Sequence, residues 1–294
     1  MPADLNRMLG REAVMPSFSY DDRDVLLYAL SIGMGHDPLD PAELPFVLEV
    51  PALRAMPTLA SVLGTAAHQQ GLLWQGGLLD PTRIVHGEER LELHRPLPPA
   101  GTLNGRKSVC DVVDKGPGRG AILTVRKELQ LADGLPLLTC DQRIFVRGGG
   151  GFGGGAGRFE DLAAVPTRAA DAAVALQTRP EQALLYRLNG DRHVLHADPE
   201  FARRAGFERP ILHGLCTYGI ACRAVLAAAC GYDATRLRSF ATRMTAPVFP
   251  GDRVVTEVWV DGDDVAFRAR VPERDVTVLD SGRARIGAPR LVPA

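Results

Sequence analysis

Apolar and polar side chains alternate with a period of two over several stretches of this chain, the pattern of strands that bury one face. In the first half these are residues 121–131 (AILTVRKELQL) and 137–146 (LLTCDQRIFV); in the second they are 253–260 (RVVTEVWV), 264–271 (DVAFRARV) and 276–286 (VTVLDSGRARI). Asp-Gly, Gly-Asp and Pro-Glu pairs separate them, as turns require. Ahead of each set stands a run with small and apolar residues on nearly every helical face, 58–70 (TLASVLGTAAHQQ) and 215–230 (LCTYGIACRAVLAAAC). A helix that is apolar all round must be enveloped. Strand following strand after a single helix predicts an α+β fold, with a central helix wrapped by an antiparallel sheet, rather than an α/β alternation.

The order of motifs then repeats. Tyr28-Ala-Leu-Ser, Asp37-Pro38, Met56-Pro57-Thr58-Leu59 and the PLPPAGTL around Gly101 are answered by Tyr186-Arg-Leu-Asn, Asp198-Pro199, Arg209-Pro210-Ile211-Leu212 and the PVFPGDRV around Gly251. A duplicated unit accounts for this order, and two helix-in-sheet units in one chain make a double hot dog. The expected boundaries are 1–147 for the first repeat, 148–158 for a glycine-rich linker (GGGGFGGGAGR) and 159–294 for the second repeat. So many glycines suit a pliable connector or one that hugs the surface, pinned by Phe152. A phosphate-cradling loop fits less well, because Arg158-Phe159-Glu160 opens no helix with the Lys-Ser/Thr or GxGxxG spacing.

Charge narrows the partners. Thirty-four basic side chains nearly cancel 35 acidic ones, so there is no global field for nucleic acid or an anionic membrane. The five cysteines, Cys110, Cys140, Cys216, Cys222 and Cys230, show no CxxC spacing and are odd in number, against a disulfide framework or a structural zinc site. The amino-terminal segment lacks the apolar run of a signal peptide, no stretch is long enough to span a bilayer, and RLVPA at the other end is no peroxisomal address. The expectation is a soluble cytoplasmic protein that binds neither membrane nor nucleic acid.

Candidate chemistry gathers in NGDRHVLHADPEFARRAGFERPILHGLCTYG, residues 189–219. Asp191 and His196 are an odd number of positions apart, so a regular strand would send them to opposite faces, whereas a loop can turn both to one point. Asn189-Gly190-Asp191 supplies turn chemistry, and Asp198-Pro199 reads as a helix cap followed by a first helical residue. The next helix begins near His213-Gly214, where a glycine lets a ligand approach and first-turn amides can stabilise an oxyanion. Carboxylate, imidazole and free amide facing one point suit acid-base chemistry on a carbonyl compound. Turn and cap roles account for the same residues: Asp191 in an Asx turn, Asp198 as an N-cap, His196 satisfied by backbone. A third reading makes His193, His196, Asp198 and His213 metal ligands, although neither HExxH nor a spaced triad is present.

Tyr186-Arg-Leu-Asn-Gly-Asp-Arg-His-Val-Leu-His-Ala-Asp-Pro, with Ala205-Gly-Phe-Glu-Arg-Pro-Ile-Leu-His-Gly-Leu-Cys-Thr-Tyr-Gly, resembles the signature of the (R)-specific enoyl-CoA hydratases, or hydratase 2, of the MaoC-like dehydratase group. Val85-His-Gly-Glu, HRPLPPAG, Val113-Asp-Lys-Gly and GGFGG resemble the hydratase domain of peroxisomal multifunctional enzymes. The resemblance implies reversible hydration of trans-2-enoyl-CoA to (3R)-3-hydroxyacyl-CoA, with Asp191 and His196 as the catalytic pair and the Gly214 backbone N–H polarising the thioester carbonyl. It implies that His86, Gly87, Lys115, Arg187, the loop containing His193, and Met244 meet the coenzyme A and acyl groups. Glu49 matches an acidic position in related hydratases. The acyl-CoA thioester is the substrate, and no metal or separate cofactor is expected.

Two departures stand out: His193 and Val194 replace the family's Asn-Pro, and Met244 replaces an aromatic. In the first repeat Gly33 and Met34 occupy the place of Asp191, so one site per chain is expected, with Leu44, Phe46 and Val47 as candidates to line an acyl-tail pocket. The rival functions are a dehydratase for a specialised 3-hydroxyacyl or mesaconyl-type thioester, an acyl-CoA-binding protein without catalysis, and a thioesterase. Sheets of this kind commonly associate, and a homodimer is expected.

Overall fold

The computed structural model describes residues 4–64, 72–73, 79–80, 83–154 and 157–293. Its strands are β1 (Glu12–Tyr20), β2 (Ile84–Leu93), β3 (Gly101–Asp114), β4 (Ala121–Leu131), β5 (Pro136–Val146), β6 (Ala172–Gln177), β7 (Leu237–Met244), β8 (Arg253–Asp261), β9 (Asp264–Val271) and β10 (Val276–Ile286). They form one ten-stranded sheet in the order β1-β3-β4-β5-β2-β7-β10-β9-β8-β6, with every pairing antiparallel. Read inward from either edge, the two halves have the same order, each strand of the second repeating one of the first. This is the double hot dog, and the two sheets are joined where β2 pairs with β7, from Glu88 opposite Arg243 to Glu92 opposite Ser239.

The helices are α1 (Asp22–Ser31), α2 (Leu59–Val62), α3 (Gln182–Tyr186), α4 (Pro199–Arg204) and α5 (Gly214–Val225). The apolar run 215–230 behaves as expected: α5 continues as a π-helical turn, Leu226–Cys230, until Gly231 reverses the backbone at φ +57°. Its counterpart does not. Among the described residues of the helix expected over 58–70, only α2 is helical; Leu63 turns extended at φ −56°, ψ 131°, and Gly64 takes φ +72°. The rest of that expected helix lies outside the described residues. A buried amine explains the stop: Lys127 Nζ in β4 donates to the carbonyls of Ala60, Ser61 and Leu63 at 2.8 to 3.0 Å, satisfying the helix end from the side.

The seam between the halves is tied by charge. Glu88, 3% exposed, accepts from Arg90 at 2.6 Å and lies 3.3 Å from Arg143 and 3.6 Å from Arg243. The chain crosses over this seam after the glycine-rich segment, with Phe159 under the guanidinium groups of Arg90 and Arg126, and Asp161 3.3 Å from Arg243. The glycines themselves are fastened down. The Asp114 carboxylate accepts from the amides of Gly116, Gly151 and Gly153 at 2.7 to 2.8 Å, and a Cβ on Gly150 would lie 2.4 Å from the Gly116 and Gly120 carbonyls. Glycine is needed there for close backbone approach. Phe152 packs on a smaller apolar cluster that includes Leu5, Val109 and Ile144. At one edge of the sheet, β1 carries Pro16 within a register shift between Met15 and Phe18.

The main core gathers buried residues of the strands and helices of both repeats, which share it. Tyr28 of α1 and Tyr186 of α3, equivalent in the duplicated motif, are both buried, with ring centroids 6.1 Å apart. Glu43, 1% exposed, binds Arg223 of α5, the Gly35 amide at 2.8 Å and the Tyr232 hydroxyl at 3.0 Å. α1 rests directly on α5 at Gly219, where a Cβ would lie 2.6 Å from Ile32 Cγ2 and 2.9 Å from the Tyr28 hydroxyl. Gly219→Ala therefore overpacks this contact by about 1–3 kcal/mol, lowering the melting temperature by roughly 2–10 °C for a chain of this size. Differential scanning calorimetry measures it, and an unchanged midpoint would show that the helices can move apart at no cost.

Candidate active site

The loop between α3 and α4 is irregular, as its chemistry demands. After α3, a turn over Arg187–Asn189 is stopped by Gly190 at φ +117°. Asp191 follows, and His193 opens a single 3-10 turn, Val194–His196. Asp198 then caps α4, its carboxylate accepting from the Glu200 and Phe201 amides at 2.8 and 3.2 Å. The turn roles expected for these residues are present: the Asp191 carboxylate accepts from the His193 amide at 3.1 Å, and His196 Nδ1 meets the Ile211 carbonyl at 2.9 Å. Those roles leave reactive atoms unused. A carbonyl only accepts, so Nδ1 of His196 carries the hydrogen and Nε2 of the neutral ring keeps its lone pair.

His213, 2% exposed, stands directly behind, stacked on His196 with ring centroids 3.6 Å apart and planes 23° from parallel. Its Nε2–H donates to the backbone carbonyl of Asp191 at 3.1 Å, and its other face packs on Tyr186 at 4.9 Å. One oxygen of Asp191 and one ring nitrogen from each histidine lie within 4.8 Å of one another. A water molecule donating to two acceptors at about 2.8 Å each, near the tetrahedral angle, bridges about 4.5 Å.

Burial opposes charge on all three side chains. It lowers His196 from the ordinary imidazole value, with the Ile211 carbonyl and Asp191 pulling partly the other way. It drives His213 down to about 3, and the adjacent His196 adds to the effect. Burial also disfavours the Asp191 carboxylate, but His213, His196 and the His193 amide outweigh it and hold the group below its ordinary value. At neutral pH the cluster is therefore one carboxylate beside two neutral rings.

Gly214 opens α5 immediately after His213, and the amides of a helix's first turn have no intrahelical acceptor. Met244, the last residue of β7, presses on it: a Cβ at Gly214 would lie 2.5 Å from the methionine sulfur. The arrangement joins a pair of proton acceptors to a helix start, whose free amides can stabilise developing negative charge. It suits a metal ion poorly. Nearly parallel stacked rings hold their lone pairs in separate planes, so both cannot point at one ion about 2 Å from each nitrogen. Asp198 and His193, grouped with these histidines as ligands in the sequence reading, do not join them; one caps α4 and the other is exposed.

The remaining expected contact residues divide. Arg187 supports the loop, donating to the Arg192 carbonyl at 3.0 Å, and its charge helps keep both histidines neutral. His193 accepts from the Leu195 amide, with its ring edge-on to Phe201. Met244 is in place. Glu49 is exposed and lines a surface groove of about 610 Å³ with Arg23, Leu27, Leu30, Leu188 and Arg192, the neighbour of Asp191. Lys115 is exposed at the β3–β4 turn. His86 lies at a bulge in β2 that includes Gly87, and its ring turns toward Glu89 (3.0 Å) and Gln142 (3.2 Å). Phe46, at the end of the 3-10 turn that Leu44 starts, is wholly buried in the core, and Val47 packs against that core. His213 is the site residue whose part the sequence understated; its place at the head of an apolar helix was the available signal.

Comparison with known proteins agrees with this architecture. A MaoC like domain matches residues 161–281, and an MFE-2 hydratase 2 N-terminal domain matches residues 18–148. The chain is 39% identical over 96% of its length to enoyl-CoA hydratase ChsH3 of Mycobacterium tuberculosis, covering 98% of that protein. It is 39% identical over 92% of its length to the peroxisomal enoyl-CoA hydratase 2 of Arabidopsis thaliana, covering 92% of it. The crystal structure of a MaoC-like dehydratase from Phytophthora capsici superposes with a TM-score of 0.85 at 33% identity, over 98% of this chain and 99% of the other.

The two neutral rings make stability depend on pH. Both histidines titrate lower in the folded chain than in the unfolded one, so the unfolded chain binds more protons as pH falls below about 6.5, the ordinary imidazole value. Stability contributed by their neutral burial is complete above that pH and is lost as pH drops toward the folded value, about 3 for His213. The slope is at most about 1.4 kcal/mol per pH unit for each ring. Urea unfolding at pH 7.5, 6 and 5 is expected to show this fall, with a shallower one in His213→Phe. Equal stability across that range would mean that the rings titrate as if in water.

Proposed function

This chain belongs to the MaoC-like, hydratase 2 family of hydratase and dehydratase lyases, and we propose that Asp191 and His196 carry its hydration of enoyl-CoA thioesters by gripping a single water. The reading rests above all on a carboxylate oxygen of Asp191 and a ring nitrogen of His196 lying within 4.8 Å of each other, with the helix whose first residue is Gly214 starting next to His213 of the same cluster. Water donates one hydrogen to the Asp191 carboxylate and one to the bare Nε2 of His196, while its oxygen adds to carbon 3 of the enoyl group. Electron density moves to the thioester oxygen, where the Gly214 N–H stabilises it. Donors of this kind are worth about 3–4 kcal/mol in acyl-transfer enzymes. The acceptor that took the water proton returns it to carbon 2, so no atoms or charges are left over. Both parts of the water arrive on one face, giving syn addition and, by resemblance to the family, a (3R)-hydroxyacyl product.

His213 positions this pair. Its N–H fixes the Asp191 backbone, and its stacked ring holds His196 in one orientation without competing for the proton, because its own affinity is so low. The first repeat has no equivalent groups: at the matching place Gly33 takes φ +86° and Met34 is buried. It is free to contribute walls to the acyl side of the site.

Asp191→Asn and His196→Ala are each expected to lower turnover of crotonyl-CoA by about two to four orders of magnitude with the fold intact, the range for general acid-base groups. The assay follows loss of the enoyl ultraviolet absorbance, and chiral analysis of the product tests the stereochemistry. Parental turnover in either variant would defeat the assignment. Release of free thiol would point instead to thioester hydrolysis, and tight binding without loss of absorbance to a carrier.

A further inference from the structure

Ser31 is wholly buried at the end of α1, in the repeat that lacks catalytic groups. It occupies the position in Tyr28-Ala-Leu-Ser that Asn189 occupies in Tyr186-Arg-Leu-Asn, and the two equivalent residues meet. Asn189 Nδ2 lies 2.9 Å from Ser31 Oγ. The hydroxyl hydrogen of Ser31 is already given to the Tyr28 carbonyl at 2.8 Å, so toward Asn189 the oxygen accepts, and the direction of the bond is fixed. The second hydrogen of the Asn189 amide goes to the Tyr186 carbonyl at 2.8 Å. Meanwhile the Ser31 carbonyl accepts from Gln182 Nε2 at 2.7 Å and from the Cys216 thiol at 3.4 Å.

These bonds touch three pieces of the site at once. Asn189 precedes Asp191 with only Gly190 between them, Cys216 follows Gly214 with only Leu215 between, and Gln182 begins α3. We infer that Ser31 is a positioning residue, reaching across from the silent repeat to hold the Asp191 loop and the Gly214 helix in register. The inference rests on the hydration reading above. A loop released at Asn189 would turn about Gly190, whose left-handed backbone gives no resistance of its own, and the carboxylate would drift relative to the oxyanion amide. Misplacement by about an ångström can cost on the order of a hundredfold in rate.

The test is steady-state kinetics on crotonyl-CoA for Ser31→Ala, Asn189→Ala and the double variant, with melting curves for each. Each single variant should lower kcat by about ten- to a hundredfold with KM within about threefold, since the bond orients reacting groups without touching substrate. The double variant should be no slower than the slower single one, because both remove the same link. Parental kcat with a lower melting temperature would overturn the inference by showing a merely structural bond, as would losses that multiply in the double variant. If Ser31→Ala fails to fold, Asn189→Ala breaks the same bond from the half-buried loop side and decides alone. An active Asp191→Asn would defeat the hydration reading itself; an inactive Asp191→Asn with normal Ser31→Ala and Asn189→Ala would defeat only this inference.

Discussion

The pairing of β2 with β7 is the constraint from which the rest follows. It turns two five-stranded sheets into one surface, so the helices of both repeats must share a single apolar interior. Sharing brings α1 onto α5 through Gly219 and sets Tyr28 beside Tyr186. It also lets Glu43 reach Arg223 and Ser31 reach Asn189, contacts between residues far apart in the chain. The seam itself contains a carboxylate, Glu88, that would be costly to bury alone and is tolerable only among Arg90, Arg143 and Arg243. That network makes the join specific: sliding the strands by one residue would send Glu88 into the core without its partners.

The cluster around His196 shows how one backbone carbonyl can decide the chemistry of a ring. By accepting from Nδ1, Ile211 leaves Nε2 as the only basic atom, and low polarity keeps that atom unprotonated near neutrality. His213 is neutral for the same reason, yet its free nitrogen faces protein, and the ring stacks on His196 while its other nitrogen donates to the Asp191 carbonyl. Two identical side chains thus leave different nitrogens free through which carbonyl each one serves.

Much of this was legible along the chain. The bounds of β4, β9 and β10 follow from alternation alone, because residues such as Val265, Phe267, Ala269 and Val271 go inward with the expected period. The loop carrying Asp191 and His196 was marked by its turn residues and by the cap at Asp198. β2 was not legible: its Glu-Glu-Arg-Leu-Glu run looks solvated, yet Glu88 and Glu89 are buried among partners from β2 itself and from the neighbouring strands. Nor was the early end of α2, since residues 58–64 read much like the start of α5, and the carbonyls beyond Leu59 are claimed by a lysine from β4. Ser31 and His213 were hidden for a related reason. Ser31 meets Asn189 only because the fold brings equivalent positions of the two repeats together, and His213 stacks on His196 across a loop whose path is not written in any local pattern.

An open sheet has two outer strands whose unpaired amides and carbonyls invite a neighbour to add on, the first step of aggregation. Here β1 is spoiled as a template by Pro16, which lacks a donor, and by the bulge that twists the strand around it. β6 at the opposite end is short, offering only six residues of ladder. Neither end of this wide sheet is a good template for a further strand, and changes that straightened β1 would favour association between copies at that edge.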